Sequence, residues 1–302
     1  MSISYRLFKL VPTTMSEPIV LTRLFVGGIP VEVYGHSAAA DSSLPVNALF
    51  LLHGRTQSTE SVGAFAKSIL DTNYRTAGAH KKRDLIVIAF DHRNHGKRLV
   101  DALHNDGWHK DPVKDNAQHA VDMYTIQTGT VHDVTFLIDH IASYLYPLGE
   151  REVVEWGIAG ISLGGHSTWI ALTREPRIRL AIPIIGCPDY TKLISQRAEY
   201  TGVPFTPPYY PPQLKSYVDA YDPASFPFRA NDLTNPFLGK RILVLSGAND
   251  KLVPWTASKE FVEGLEVGEG VKRVVLQENA GHECTPAMIQ EASLFVSEWL
   301  AN

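Results

Sequence analysis

Short apolar runs punctuate the chain, and each ends in a polar or glycine-bearing cluster. Ala48-Leu49-Phe50-Leu51-Leu52 runs into His53-Gly54-Arg55-Thr56, and Leu85-Ile86-Val87-Ile88-Ala89-Phe90 runs into Asp91-His92-Arg93-Asn94-His95-Gly96. Continuous runs of this length predict strands buried on both faces. Three more follow: Val153 to Ile161, Leu180 to Gly186, and Arg241 to Ser246, with a shorter one at Arg273 to Leu276. Pro183 sits inside the second of these and predicts a bulge or distorted strand, because proline gives no N–H to a ladder. Between the runs, helical spacing predicts helices over Ser58 to Leu70, Asp122 to Tyr146 (apolar at Val134, Leu137, Ile138, Ile141 and Leu145), Thr256 to Leu265 and Pro286 to Leu300. Before them, Leu21 to Tyr34 alternate loosely around Gly27-Gly28, the pattern of a hairpin. Buried strands alternating with helices predict an α/β fold with a mostly parallel sheet covered on both faces.

The pattern breaks between Pro188 and Gly239. Prolines from Pro204 to Pro236 alternate with aromatic residues, Tyr209 and Tyr210 among them, and no periodicity runs through the stretch. It is too aromatic for a disordered linker, so residues 188–239 are expected to be an insertion folded over the rest. No internal repeat is visible, and residues 1–302 are read as a single domain.

Composition narrows the picture. At 44% hydrophobic and 20% charged residues, the chain can bury a sizeable core. A net charge of −4 argues against nucleic acid as a partner, because phosphate binding needs a basic surface. Cys187 and Cys284 are the only cysteines, too few for a disulfide framework or a zinc site. The first ten residues hold no apolar run of signal-peptide length, and no run is long enough to cross a bilayer. A cytoplasmic protein without a membrane partner is the expectation.

Ligands of open α/β sheets bind at the carboxyl ends of strands. The most informative strand end is Gly160-Ile161-Ser162-Leu163-Gly164, an apolar run followed by a stretch compatible with a helix. G-x-S-x-G in that setting is a nucleophile elbow, in which a strained turn lifts a serine above the sheet. A serine hydroxyl needs a base to take its proton, and the base needs a third group to hold one tautomer. His282 and Asp250 follow later strands and fit those roles.

Taken together, His53-Gly54, Gly160-x-Ser162-x-Gly164, Gly247-x-x-Asp250-x-x-Val253-Pro254 and Gly281-His282 make the sequence resemble the α/β-hydrolase family from about Leu21 onward. Within that family it is most similar to dienelactone-hydrolase and prolyl-oligopeptidase-like esterases, which often carry a lid after the sixth strand. The resemblance implies Ser162 as nucleophile, Asp250 as acid and His282 as general base. It also implies an oxyanion hole from the backbone N–H groups of Leu163 and Arg55. The insertion becomes a lid above Ser162, with Tyr209 and Tyr210 as substrate-binding residues. The chain departs from the family in its His-Gly-Arg-Thr loop, which is not the triple-glycine form, and in Asp91 to Arg98. The expected reaction is cleavage of a small carboxylic ester, with no cofactor and no metal. An exopeptidase or amidase, and a non-catalytic ligand sensor on the same fold, are the alternatives.

Other residues have plainer readings. His92 and His95 lack a carboxylate or cysteine partner at ligand spacing, so a metal there is not expected. Asp189 could stand in for Asp250, although Gly-x-x-Asp favours Asp250. The Arg55 side chain either holds a substrate carboxylate or pairs with a nearby acid. Cys284 reads as a buried small residue, and His166 and Trp169 as packing.

Overall fold

The structure, a computed structural model, describes residues 17–37, 39, 42–77 and 82–301. The reading of the first ten residues lies outside them. Ile19–Val26 (β1) and Ile29–His36 (β2) form the expected hairpin, with Val26 paired to Ile29 across Gly27-Gly28. Val46–Leu52 (β3), Asp84–Phe90 (β4), Val153–Ile161 (β5), Ile178–Ile184 (β6), Arg241–Gly247 (β7) and Val271–Gln277 (β8) complete one eight-stranded sheet. Its order is β1-β2-β4-β3-β5-β6-β7-β8. β1 and β2 pair antiparallel, as do β2 and β4, and every other neighbour is parallel.

Burial follows from side chains alternating across the sheet. From β3, Phe50 and Leu52 face a core shared with His119–Leu145 (α2) and Leu163–Arg174 (α3). Leu49 and Leu51 face the opposite core, shared with Gly63–Ala77 (α1) and Pro286–Ala301 (α7). Both faces are covered, so β3 and β4 are buried at every position and read as continuous apolar runs. β8, at the edge, is only half-buried and alternates.

Three expectations change in detail. The helix expected from Ser58 begins as a 3-10 turn at Thr59–Val62 and continues as α1 to Ala77. β6 is a central strand, with Pro183 opposite Gly160 on the β5 side, and pairing to β7 skips Ile182 and Pro183. The lost N–H is therefore accommodated on one side only. The aromatic insertion contains two helices, Tyr190–Thr201 (α4) and Pro212–Tyr221 (α5). Their buried residues, Tyr190, Leu193, Ile194 and Ala198 in α4 and Leu214 and Val218 in α5, recur at helical spacing. The prolines and tyrosines around them masked that pattern. A further helix, Trp255–Gly264 (α6), joins β7 to β8. Among the described residues no helix is long and apolar enough to cross a membrane.

Candidate active site

β5 ends at Ile161 and α3 begins at Leu163, so Ser162 alone makes the turn, with φ 53° and ψ −107°. Few residues other than glycine adopt such a backbone, and it persists only where the surroundings impose it. They do so through close contact. A Cβ on Gly160 would lie 2.3 Å from the carbonyl carbon of Gly164, so the turn closes backbone on backbone. The Ser162 N–H donates to the Ile184 carbonyl at 2.9 Å, tying the turn to β6.

The two remaining loops lie on the same sheet edge because β7 and β8 are neighbours. A Cβ on Gly247 would lie 2.4 Å from the Gly281 carbonyl oxygen, and the Asn249 N–H donates to the Ala280 carbonyl at 2.9 Å. This contact brings Asp250 to His282. The His282 Nδ1–H donates to Asp250 Oδ2 at 2.7 Å, and Ser162 Oγ–H donates to His282 Nε2 at 2.8 Å. The other Asp250 oxygen accepts the N–H groups of Leu252 and Val253, both at 2.9 Å. Asp250 is buried, so these bonds fix its carboxylate and the imidazole tautomer. Asp189 is occupied elsewhere. Its carboxylate caps α4, accepting from the Lys192 N–H at 2.8 Å.

The loop after β3 stands across from the serine. Leu163 is the first residue of α3, so its N–H has no carbonyl one turn back to satisfy it. Gly54 N–H is taken by Gln57 Oε1 at 3.0 Å, which leaves the Arg55 N–H as the next donor along the loop. Beneath it lie three imidazoles. His53 Nδ1–H donates to the Gly54 carbonyl at 2.7 Å, while its Nε2 accepts the His92 N–H at 3.1 Å. His92 Nε2–H donates back to the His53 carbonyl at 2.9 Å, and its Nδ1 accepts from Thr130 Oγ1 at 2.7 Å. Both rings use both nitrogens, so neither has a lone pair for a metal. Burial pushes the His53 pKa down to about 4 and holds His92 well below the usual imidazole range. His95 gives its Nδ1–H to the Arg93 carbonyl at 2.9 Å. Among the described residues no group of three or more histidine, cysteine or acidic side chains is placed to hold a metal ion.

A cavity of about 560 Å³ opens over Ser162. Residues 54–57, Phe65, Ile185, Leu252, His282, Cys284 and Ile289 are among its lining, and none of residues 188–239 is. Ile185 has φ 45°, a strained value for a β-branched residue, with its N–H donating to the Leu245 carbonyl at 2.7 Å. Burial pushes the Cys284 thiol up to about 12, so it stays protonated beside the base.

The insertion was expected directly above Ser162; none of its residues lines this cavity, while Arg197, Tyr200 and Thr201 line a neighbouring one. Most of the insertion's buried apolar residues join the core that α2 and α3 line, and Leu193 packs with Cys187, Val253 and Ala257. Tyr210 is buried, stacked on Phe205 at 4.2 Å between centroids, with its hydroxyl 3.2 Å from Thr191 Oγ1. Tyr209 meets Trp108 edge-on at 6.3 Å. His166, also buried, accepts the Cys187 N–H at 2.9 Å, and Trp169 is fully buried against Phe261. Sequence reasoning missed Gln57, Leu252 and Ile185. Gln57 lies three residues after Gly54 in a turn-rich stretch, and that spacing is a weak signal for a side chain returning to the loop.

No family model matches the chain. Over 141 residues, 44% of this chain, it is 26% identical to "Putative esterase YitV" of Bacillus subtilis (strain 168). That alignment spans 52% of the Bacillus protein, about half its length. Similar solved structures include TT1662 from Thermus thermophilus, at TM-score 0.64 and 19% identity over 94% of this chain and 99% of that one. The Pyrococcus furiosus esterase Pf2001 is similar at TM-score 0.52 and 18% identity over 99% and 98% of the two chains. Est1E from Butyrivibrio proteoclasticus, solved with ferulic acid bound, gives 0.55 and 16% over 93% and 98%. Sheet order, elbow and structural likeness agree, and the chain has the α/β-hydrolase fold.

Proposed function

We propose that the protein is a serine hydrolase that cleaves a small carboxylic ester through an acyl-enzyme on Ser162. The observation that carries this reading is the unbroken hydrogen-bonded chain from Ser162 through His282 to Asp250, opening on a cavity. Ser162 Oγ attacks the ester carbonyl as its proton passes to His282 Nε2. The resulting imidazolium is stabilised by Asp250, which keeps its own charge. Negative charge collects on the former carbonyl oxygen, facing the Leu163 N–H at the positive end of α3 and the Arg55 N–H of the loop after β3. Each such donor lowers the barrier by about 3 kcal/mol. When the intermediate collapses, His282 returns the proton to the departing alkoxide. Water then attacks the acyl-enzyme by the same route, and Ser162 is regenerated. The esterases among similar proteins support the hydrolase class.

The test is hydrolysis of p-nitrophenyl acetate together with labelling by a fluorophosphonate. The wild type is expected to turn over the ester and gain one adduct on the Ser162 peptide, and Ser162→Ala is expected to do neither. An adduct that persists in Ser162→Ala defeats the assignment.

A further inference from the structure

A second cavity, of about 340 Å³, adjoins the first and shares Arg55 and Leu252 with it. Trp108 forms one wall, and α4 forms another through Arg197 and Thr201. Two guanidiniums border this space. Neither has a carboxylate at ion-pair distance among the described residues. Arg55 gives one N–H to the Asn105 carbonyl at 2.7 Å. Arg197 gives one to His119 Nε2 at 2.9 Å and one to the Leu252 carbonyl at 3.2 Å, while its Nε is enclosed without a partner.

His119 supplies no counter-charge. Its Nδ1–H donates to the Asp106 carbonyl at 2.8 Å and its Nε2 lone pair is taken by Arg197, so the ring is neutral. Burial, reinforced by Arg197 and Arg55, pushes its pKa down to about 3. Burial and the neighbouring Arg55 likewise bring Arg197 down to about 10. Among the described residues the only acid on the wall is Asp106, an exposed side chain, and Lys114 also lines the cavity. Three cations therefore face one carboxylate.

Holding three cations close together with a single exposed carboxylate among them is costly, and a bound anion relieves that cost. Guanidinium forks match the paired oxygens of carboxylates and phosphates. We propose that this cavity is an anion subsite of the Ser162 site, taking a carboxylate or phosphate group of an ester whose scissile carbonyl sits at Ser162. Arg55 lines both spaces, and its guanidinium reaches the Asn105 carbonyl, next to Asp106 of the second cavity. Arg197 is tethered through Leu252, two residues beyond Asp250, so the anion would be held in register with the triad.

The catalytic part of this inference rests on the esterase reading, whereas anion binding does not. The experiment separates them. Glutarate and inorganic phosphate are titrated by calorimetry into Ser162→Ala and into Ser162→Ala with Arg197→Gln, at low salt. At least one anion is expected to bind Ser162→Ala and to bind the double variant roughly tenfold or more weakly, as loss of a charge-assisted bond implies. The tighter anion assigns carboxylate or phosphate. Arg197→Lys, which keeps the charge and loses the fork, is expected to fall between, and it serves if the glutamine variant does not fold. In turnover, the wild type is expected to favour the p-nitrophenyl monoester of glutarate over p-nitrophenyl pentanoate, with the ratio of kcat/KM shrinking in Arg197→Gln. Binding that depends on Arg197 without turnover of any ester keeps the subsite and removes the esterase reading. Turnover with no anion bound by Ser162→Ala, or binding indifferent to Arg197, overturns the subsite.

Discussion

At the elbow, Gly160 and Gly164 meet backbone to backbone and Ser162 is held in a strained turn. In the insertion, Tyr210 stacks on Phe205, and Leu214 and Val218 face a core that α2 and α3 also line. The first region is determined by main-chain contacts that admit no extra atom, the second by side chains covering apolar area. Chemistry and stability should therefore respond to different substitutions. A change at the catalytic edge should alter rate with little effect on folding, and a change at the buried apolar and aromatic residues of the insertion should do the reverse.

The largest effect should come from the triad. Ser162→Ala and His282→Ala are each expected to lower kcat by about 10⁴- to 10⁶-fold, and the double variant little further, because the residues act as a unit. Urea unfolding of each should stay close to wild type. Equal loss of stability and activity would erase the distinction between the regions.

Acid tests the packed parts. Burial holds His53 down to about 4, His92 well below its usual range, and His119 and His166 down to about 3. The unfolded chain takes up protons on these rings near pH 6.5, so it binds more protons than the native fold from there down to about pH 4. Stability should fall as pH drops through that window, by up to about 1.4 kcal/mol per imidazole for each pH unit. Urea unfolding at pH 7.5 and 5.5 measures it, and equal stability at the two would contradict the neutral, buried rings.

Tyr210→Ala should cost about 3 kcal/mol, as truncation of a buried aromatic ring does. Combined with Tyr209→Ala it should change thermal stability more than preference among acyl chain lengths, the reverse of what a lid over Ser162 would give. A shifted chain-length preference at unchanged melting temperature would restore the lid. The smallest effect sharpens the contrast between two aspartates. Asp189→Ala removes a helix cap worth about 1 kcal/mol and should leave turnover nearly intact. Asp250→Ala should reduce kcat by about 10⁴-fold.

What the sequence made legible was what depends on local pattern. Buried strands are continuous apolar runs, and Ser162 and Asp250 each follow one, while His282 follows the half-buried edge strand β8, so strand ends and residue types together pointed to them. Contacts between side chains distant in sequence were not legible. His53 and His92 meet only because β3 and β4 are neighbours, and no spacing of 39 residues announces that. Arg197 is an ordinary polar residue on α4 until the fold places it beside Arg55 and His119. Helices α4 and α5 were obscured by composition, since their apolar spacing is short and prolines surround it.

The insertion leaves the sheet after β6 and returns at β7, two strands that pair directly, with Ile185 N–H bound to the Leu245 carbonyl across the gap. Its two ends are thus held together by the sheet and not by its own length. Lengthening a loop between fixed ends costs little, about 0.6 kcal/mol for each doubling. An evolving lineage could therefore exchange this segment for a longer, shorter or differently charged one while the serine and its base stayed where they are. The fold would keep Ser162, His282 and Asp250 in place while the groups that α4 presents to the cavity beside them changed.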